Sequence, residues 1–132
     1  VMAQMLDLSP RAVTISSDGS FSLVADSNNY QLRRIILSTT RVSFVVGGSR
    51  GAADGVGRDV QFDQPRNEHL SRPNLFFDHQ EQQLPNSKIN YATKVVSTFT
   101  GSTCEYSDDF GSNAFFNCPF EVSISPDESS VL

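Results

Sequence analysis

The chain has 132 residues, 38% of them hydrophobic, with ten basic and fifteen acidic side chains and a net charge of −5. This balance disfavours nucleic acid as a partner, because phosphate backbones are bound by clustered Lys and Arg. No apolar stretch reaches the ~20 residues that a membrane span requires, so we expect no membrane segment in this chain, and nothing in it indicates a compartment.

Four β-strands are predicted in the first part of the chain. The segment after Pro10 alternates, with Val13 and Ile15 on one face, and three runs rich in β-branched or aromatic residues follow it. We expect strands at 12–16, 21–25, 31–37 and 42–46. Turn-forming residues separate them, at 17–19, 26–29 and 38–40. A long Gly-containing connector spans 47–64 and no amphipathic helix of three turns is found, so the sequence predicts an all-β fold.

The same pattern returns later in the chain at a nearly constant offset. Pro10, Pro65 and Pro119 are separated by 55 and 54 positions, and the segments between them keep that spacing. Matches at an offset of 54 include Ile35 with Ile89, Val42 with Val96, Gly47 with Gly101 and Phe62 with Phe116. Four short antiparallel strands in each unit of such a repeat are typical of a β-propeller blade.

The repeated residues resemble the NHL repeat family of β-propellers. The resemblance is carried by the segments at 13–19, 23–29, 31–35, 47–48, 54–57 and 60–65. It implies blades of four antiparallel strands, in a ring that has six blades in the family. This chain would supply two blades and the start of a third. The predicted fold class is therefore an incomplete β-propeller, a fragment whose partners include the remaining blades or a second copy of itself.

In this interpretation the chain divides into four units. They are the end of a preceding connector at 1–9, blade one with its connector at 10–64, blade two with its connector at 65–118, and the start of blade three at 119–132. Blade two is degenerate. It keeps a second strand at 75–78, but the polar segment 80–85 replaces the tight turn of blade one, and its third strand is expected only from Ser87.

The acidic residues of the connectors are the candidates for binding chemistry. Asp54 and Asp108 recur at one position of the repeat beside glycines, and Asp109 follows directly. Carboxylates on a flexible backbone can hold Ca²⁺ through their oxygens, and Ca²⁺ is the one cofactor that these residues suggest. Recurrence with the repeat favours a structural role, in which the carboxylate accepts hydrogen bonds from loop amides. By the same reasoning Asp26 is predicted to form a turn, and we expect no resident cofactor.

Cysteine and histidine positions give weaker indications. Cys104 and Cys118 lie fourteen positions apart in one predicted loop, and that spacing allows a disulfide. Neither the cysteines nor the histidines have the spacing of a zinc site, so no metal ligands are predicted. His69, in the first strand of blade two, is the one residue whose position would suit a role in a catalytic site. No catalytic residues are assigned.

The function predicted from the sequence is a non-enzymatic binding or scaffold module. Most of the polar residues that could take part in catalysis or ligand binding recur with the repeat, and no cluster of catalytic residue types is present in the sequence. Propeller loops commonly bind proteins or peptides, and the fold alone does not name the ligand. The alternative is that the chain is part of a six-bladed, metal-dependent lyase or lactonase-like enzyme, since such enzymes occur among relatives of this family.

Overall fold

The fold of the protein is built from β-strands. Its computed structural model describes residues 10–71, 74–79, 86–101, 106–116, 125 and 127. These residues form eleven strands and three short 3-10 turns, and they contain no α-helix. The all-β fold class predicted from the sequence is confirmed. None of the helical segments in the described ranges has the length and apolar character to cross a membrane.

The first sheet consists of the four consecutive strands that the sequence predicts. They are β1 (Pro10–Ile15), β2 (Phe21–Asp26), β3 (Gln31–Ile36) and β4 (Arg41–Gly47), paired antiparallel in that order. In the turn after β1 the Ser16 hydroxyl donates to the Asp18 carboxylate at 2.7 Å, and the Ser20 amide donates to the same oxygen at 3.0 Å. Gly19 has φ +69°, which glycine adopts without a side-chain clash. The turn predicted here is confirmed.

One buried carboxylate organises the link between β2 and β3. Asp26 is fully buried and accepts hydrogen bonds from Asn29 Nδ2 and Gln31 Nε2, each at 2.9 Å. Such partners are necessary because an unpaired charge inside a protein is strongly unfavourable. Residues Ser27–Asn29 form a 3-10 turn that Tyr30 closes with φ +54°. The turn predicted at 26–29 is confirmed, and Asp26 stabilises it through these two hydrogen bonds.

The first connector (47–64) contains short strands and folds back on itself. Its elements are β5 (Ser49–Arg50), β6 (Gly55–Val56) and β7 (Gln61–Phe62), with a 3-10 turn at Gly57–Asp59. β5 and β7 pair in parallel, and the Gln61 amide donates to the Ala53 carbonyl at 3.0 Å. Val60 and Phe62 are fully buried. The end of the connector is therefore part of the hydrophobic core.

The second sheet has the strand order of the first and gains one strand from the first connector. Its consecutive strands are β8 (Pro65–Ser71), β9 (Asn74–His79), β10 (Asn86–Asn90) and β11 (Val95–Thr100). β6 pairs antiparallel with β11, which makes the order β6-β11-β10-β9-β8. β10 begins at Asn86, one residue before the predicted Ser87, and the polar segment 80–85 lies outside the described residues.

The two sheets share irregularities at an offset of 54 residues. The β3–β4 ladder has a register shift at Leu32, and the β10–β11 ladder has one at Asn86. The turn before β4 ends at Thr40 with φ +56°, and the turn before β11 ends at Lys94 with φ +61°. Residues other than glycine seldom adopt positive φ. Matched bulges and matched positive-φ residues indicate that both sheets use the same local construction.

The second connector (106–116) has the local fold of the first. A 3-10 turn at Gly111–Asn113 lies 54 residues after the one at Gly57–Asp59, and its first glycine has φ +56° where the earlier one has +60°. The Phe115 amide donates to the Ser107 carbonyl at 3.0 Å, which is the counterpart of the Gln61–Ala53 bond. The connector geometry therefore recurs at the same offset as the sheet geometry.

The hydrophobic core lies between the two sheets. A single buried cluster contains Leu23, Ala25, Leu32, Val45, Val46, Val60, Phe62, Ile89 and Val96. The first sheet, the first connector and the second sheet all contribute to it. β1 lies beside β8, and the Ser27 hydroxyl donates to the Pro65 carbonyl across the junction. The two sheets are thus packed against each other around one core, with the connector filling the space between them.

The other face of the first sheet carries apolar side chains that are exposed on the edge strands β1 and β4, whereas Ser22 and Val24 on the central strand β2 are buried. Val13 is 59% exposed and Ile15 is 60% exposed, and Ile35 and Val42 lie in the cross-strand row of Ile15. Val42 is 37% exposed, whereas its counterpart Val96 in the second sheet is 3% exposed. We call Val13, Ile15, Ile35 and Val42 the outer face of the first sheet. Ile89 and Val96, which match Ile35 and Val42 in the second sheet, are buried in the core.

Phe62→Ala tests whether the first connector belongs to the core. Phe62 is fully buried, so its truncation should lower the free energy of unfolding by about 3–5 kcal/mol through lost burial and the cavity left behind. Phe110→Ala is the matched control, because that ring is 90% exposed and its loss should change stability by less than about 0.5 kcal/mol. Urea unfolding at low protein concentration measures both, and equal midpoints would contradict the core role of Phe62.

Candidate functional site

Asp54 joins the first connector to the second sheet. One carboxylate oxygen accepts a hydrogen bond from the Thr98 amide at 2.8 Å, and the other accepts one from the Thr98 hydroxyl at 3.3 Å. Directly after it, β6 pairs with β11, and the Gly57 amide donates to the Lys94 carbonyl at 3.1 Å. Both oxygens of Asp54 therefore have partners within the protein, and these partners fasten the connector to the edge of the sheet.

Asp108 and Asp109 lie in the second connector, where both are exposed. Asp109 Oδ1 accepts a hydrogen bond from the Phe110 amide at 2.7 Å, a contact within its own turn. Asp108 occupies the position that Asp54 occupies in the first connector. Among the residues that the structure describes, no three His, Cys, Asp or Glu side chains are grouped so as to hold a metal ion. Calcium binding by these residues stays a prediction.

The remaining residues singled out by the sequence are only partly described. Cys104 and Cys118 lie outside the described residues, so a disulfide between them stays a prediction. His69 lies in β8, where its backbone pairs with that of Phe76 in β9. That position agrees with the expected first strand of the second unit, and a catalytic role for His69 stays a prediction.

A cleft opens where the two sheets meet. Its volume is about 330 Å³, within the range of ~300–1,000 Å³ that is usual for small-ligand sites. It is lined by Leu23, Arg34, Phe44, Val45, Tyr91, Ala92 and Lys94. The first sheet supplies the wall from β2, β3 and β4, and the turn between β10 and β11 supplies the opposite wall. The cleft therefore exists only when the two sheets are packed together.

The cleft combines aromatic side chains with two cations. The Tyr91 ring contacts Phe21 edge to face, with centroids 5.7 Å apart and planes at 62°. The Arg34 guanidinium carbon lies 5.9 Å from the centroid of the Phe21 ring. Lys94 reaches the cleft from the positive-φ end of its turn. The lining contains two basic residues and no acidic one, so this part of a chain with net charge −5 suits an anionic group.

An ion pair lies within the first connector. Arg50 Nε is 3.1 Å from a carboxylate oxygen of Asp63 and 3.2 Å from the other. The Asp63 side chain is 10% exposed, whereas that of Arg50 is 62% exposed. The pair braces the two ends of the connector, near the parallel pairing of β5 with β7.

Sequence reasoning did not identify the cleft. No binding role is predicted from the sequence for Arg34, Tyr91 or Lys94. Arg34 and Lys94 come from different units of the repeat, and their approach depends on how the sheets pack. The lack of an acidic partner in the cleft is also a property of the packed structure. No spacing or motif in the sequence links these residues.

Comparisons with known proteins give matches in structure but none in sequence. No protein-family model matches, and curated proteins give no significant match. An auxiliary nutrient binding protein from Bacteroides thetaiotaomicron matches 90% of this chain with a TM-score of 0.68 and 17% identity. Another auxiliary nutrient binding protein, from Bacteroides ovatus, matches 85% of this chain with a TM-score of 0.64 and 17% identity. A putative phosphatase from Bacteroides thetaiotaomicron matches 86% of this chain with a TM-score of 0.64 and 16% identity.

The matched structures are much longer than this chain. This chain covers 33% and 31% of the lengths of the two nutrient binding proteins and 30% of the length of the phosphatase. At identities below 25% the likeness shows a shared fold and leaves activity open. Two of these three proteins are named as binding proteins and one is named as a phosphatase. The NHL resemblance stays a prediction.

Asp54 offers a test of a structural role against calcium binding. Asp54→Ala removes both acceptors of Thr98, and we expect a loss of about 1 kcal/mol of unfolding free energy, since the pair is exposed to solvent. Asp54→Asn keeps an acceptor and should lose less, and Asp59→Ala in the neighbouring turn is the control. Thermal unfolding of the wild-type chain should not respond to Ca²⁺ or a chelator. A calcium-dependent stabilisation that Asp54→Ala abolishes would assign the residue to a metal site instead.

Proposed function

We propose that this chain is a segment of a β-propeller similar to the NHL family and that it serves as a binding module. The two sheets would be neighbouring blades, with the end of a preceding connector at 1–9 and the start of a third blade at 119–132. The observation that carries the proposal is the packing of two four-stranded antiparallel units whose last two strands share a bulge and a positive-φ turn 54 residues apart, as do their connectors. Radial repetition of such sheets is how a propeller is built.

The polar residues of the repeat support a binding role over a catalytic one. Asp26 and Asp54, the acidic residues that the repeat makes prominent, have their oxygens engaged in turns and connector contacts. The alternative enzyme of the lyase or lactonase type has no observation in its favour among the described residues. Two of the matched structures are named as nutrient binding proteins, which agrees with a binding module.

The cleft between the sheets is the proposed binding site. Arg34 and Lys94 would bind an anionic group, and Tyr91 with Phe44 would contact an apolar part of the same ligand. An acidic peptide and an acidic oligosaccharide both combine these properties. The sequence favours peptide or protein ligands, and the names of the matched structures favour a nutrient, so both classes of probe are needed.

Titration calorimetry with defined probes tests the proposal. The probes are a glutamate-rich peptide and an oligogalacturonide, each compared with a neutral molecule of the same length. We expect at least one acidic probe to bind, with an affinity that falls as salt is raised. Arg34→Gln and Lys94→Gln should each weaken binding by about tenfold, the effect of losing one charge-assisted hydrogen bond.

Arg41→Gln is the matched control, because Arg41 is an exposed arginine of β4 that does not line the cleft. It should leave the affinity unchanged. Equal weakening by all three substitutions would indicate general charge attraction and not a site. Absence of binding by both acidic probes would overturn the assignment of the cleft.

A further inference from the structure

Arg58 lies beside the cleft between the two sheets. Its guanidinium carbon is over the Phe44 ring, 4.3 Å from the ring centroid, and Phe44 lines the cleft. We propose that Arg58 is the third cation of this site and that it selects acidic peptides with two carboxylates over peptides with one. This role rests on the proposed binding function of the cleft, and it adds the class of ligand and the residue that discriminates it.

The first connector holds Arg58 next to Lys94. Arg58 is the middle residue of the 3-10 turn Gly57–Asp59, which packs against β4. The Gly57 amide donates to the Lys94 carbonyl at 3.1 Å, and β6 directly before it pairs with β11. These bonds place the backbone of Arg58 close to that of Lys94, which lines the cleft. Two cations from different segments therefore meet at one end of the site.

No acidic side chain neutralises these cations within the part of the chain that the structure describes. Arg34, Arg58 and Lys94 form no ion pair there. Asp59 follows Arg58 directly, but its Cβ lies toward Gly55, 3.6 Å from where a Cβ on that glycine would stand. A guanidinium that stacks on an aromatic ring keeps its in-plane N–H groups available to a carboxylate. Arg58 is thus placed to bind an anionic group of a ligand.

The cationic and aromatic residues of the cleft are not part of the repeat. Their counterparts 54 residues away are of a different chemical type: Ser112 for Arg58, Thr98 for Phe44, Thr40 for Lys94 and Leu37 for Tyr91. Residues that build the unit do recur, as Gly57 does in Gly111. A contact that the unit needed for its own fold would recur with it. The contact of Arg58 with Phe44 therefore belongs to this one junction between sheets, where the cleft lies.

Arg34 and Arg58 reach the cleft at different places. The Arg34 guanidinium carbon lies 5.9 Å from the centroid of Phe21 in β2, whereas that of Arg58 lies over Phe44 in β4. β3 runs between these strands, so the backbones that carry the two rings are about 10 Å apart, twice the spacing of neighbouring strands. A single carboxylate has both oxygens on one carbon and does not span that separation. Two carboxylates on one ligand match the two guanidinium groups.

The rest of the lining favours a peptide over an oligosaccharide. Apart from its two cations the lining consists of Leu23, Phe44, Val45, Tyr91 and Ala92, in which the Tyr91 hydroxyl is the one polar side-chain group. Sugar hydroxyls need hydrogen-bond partners when they are buried, whereas apolar side chains need none. In the polyproline II conformation, residues three positions apart face the same side and are about 9 Å apart. Two acidic residues with two apolar residues between them therefore fit the site.

Titration calorimetry of the full chain with three hexapeptides, each with blocked ends, tests the role of Arg58. The first peptide has glutamate at its second and fifth positions and two leucines between them. In each of the other two peptides, one of the glutamates is replaced by glutamine. We expect the peptide with two glutamates to bind about tenfold more tightly than either of the others, which is the effect of one further charge-assisted hydrogen bond.

Substitution of Arg58 should act on one of the two glutamates. Arg58→Gln should weaken binding of the two-glutamate peptide by about tenfold. It should leave unchanged the affinity of the single-glutamate peptide that lacks the carboxylate bound by Arg58. Arg34→Gln should act in the same way on the other glutamate. Arg58→Lys keeps the charge and loses the planar donors, so it should restore only part of the affinity.

Arg41→Gln is the matched control, because Arg41 is an exposed arginine of β4 that does not line the cleft. It should leave the affinities of all three peptides unchanged. Arg34, Arg41 and Arg58 are all exposed, so urea unfolding of each variant should have the midpoint of the wild type. A loss of affinity then reports on the contact with the peptide and not on the fold.

Failure of the selectivity and failure of the binding site give different results. If Arg34→Gln and Lys94→Gln weaken peptide binding while Arg58→Gln weakens none of the three peptides, or all three equally, the role of Arg58 is overturned and the site stands. Binding of the oligogalacturonide without binding of any peptide overturns the peptide as the ligand. Absence of binding by the peptides and the oligogalacturonide overturns the site and the role of Arg58 together.

Discussion

The packing of two sheets around one apolar layer is the constraint on which the rest of the structure depends. Leu23 and Leu32 on the first sheet, and Ile89 and Val96 on the second, leave water only when the sheets pack against each other. Each such side chain contributes about 1.5–3 kcal/mol when fully buried. A lone four-stranded sheet with an apolar face has no comparable way to bury it.

The first connector has to fit inside that layer, and this requirement fixes its chemistry. Phe62 and Val60 enter the core, so the chain leaving β4 must turn sharply and return. A Cβ on Gly47 would lie 2.4 Å from the Tyr30 carbonyl oxygen, so glycine is needed for the backbone to pass. Asp54 then fastens the returning chain to β11. In the first connector, Asp54 and the glycines therefore have a structural part in the path of the chain.

The same packing explains where the molecule has surfaces available for partners. The cleft lies where the turn before β11 meets the first sheet, and it gathers Arg34, Tyr91 and Lys94 from segments that are remote in sequence. Val42 and Phe116 are exposed, whereas their counterparts Val96 and Phe62 are buried.

The sequence by itself determined the local structure of this protein. Alternation, β-branched runs and turn residues placed the four strands of the first sheet within one or two residues, and the nearly constant offset anticipated a second set of four strands. These features are predictable because they depend on residues close together in the chain. Only the tertiary structure decided which carboxylate meets which amide, which face of a sheet is covered, and that Arg34 and Lys94 line one cleft. Those contacts join residues of different units, and their geometry is set by how two sheets pack, a property that no local pattern encodes.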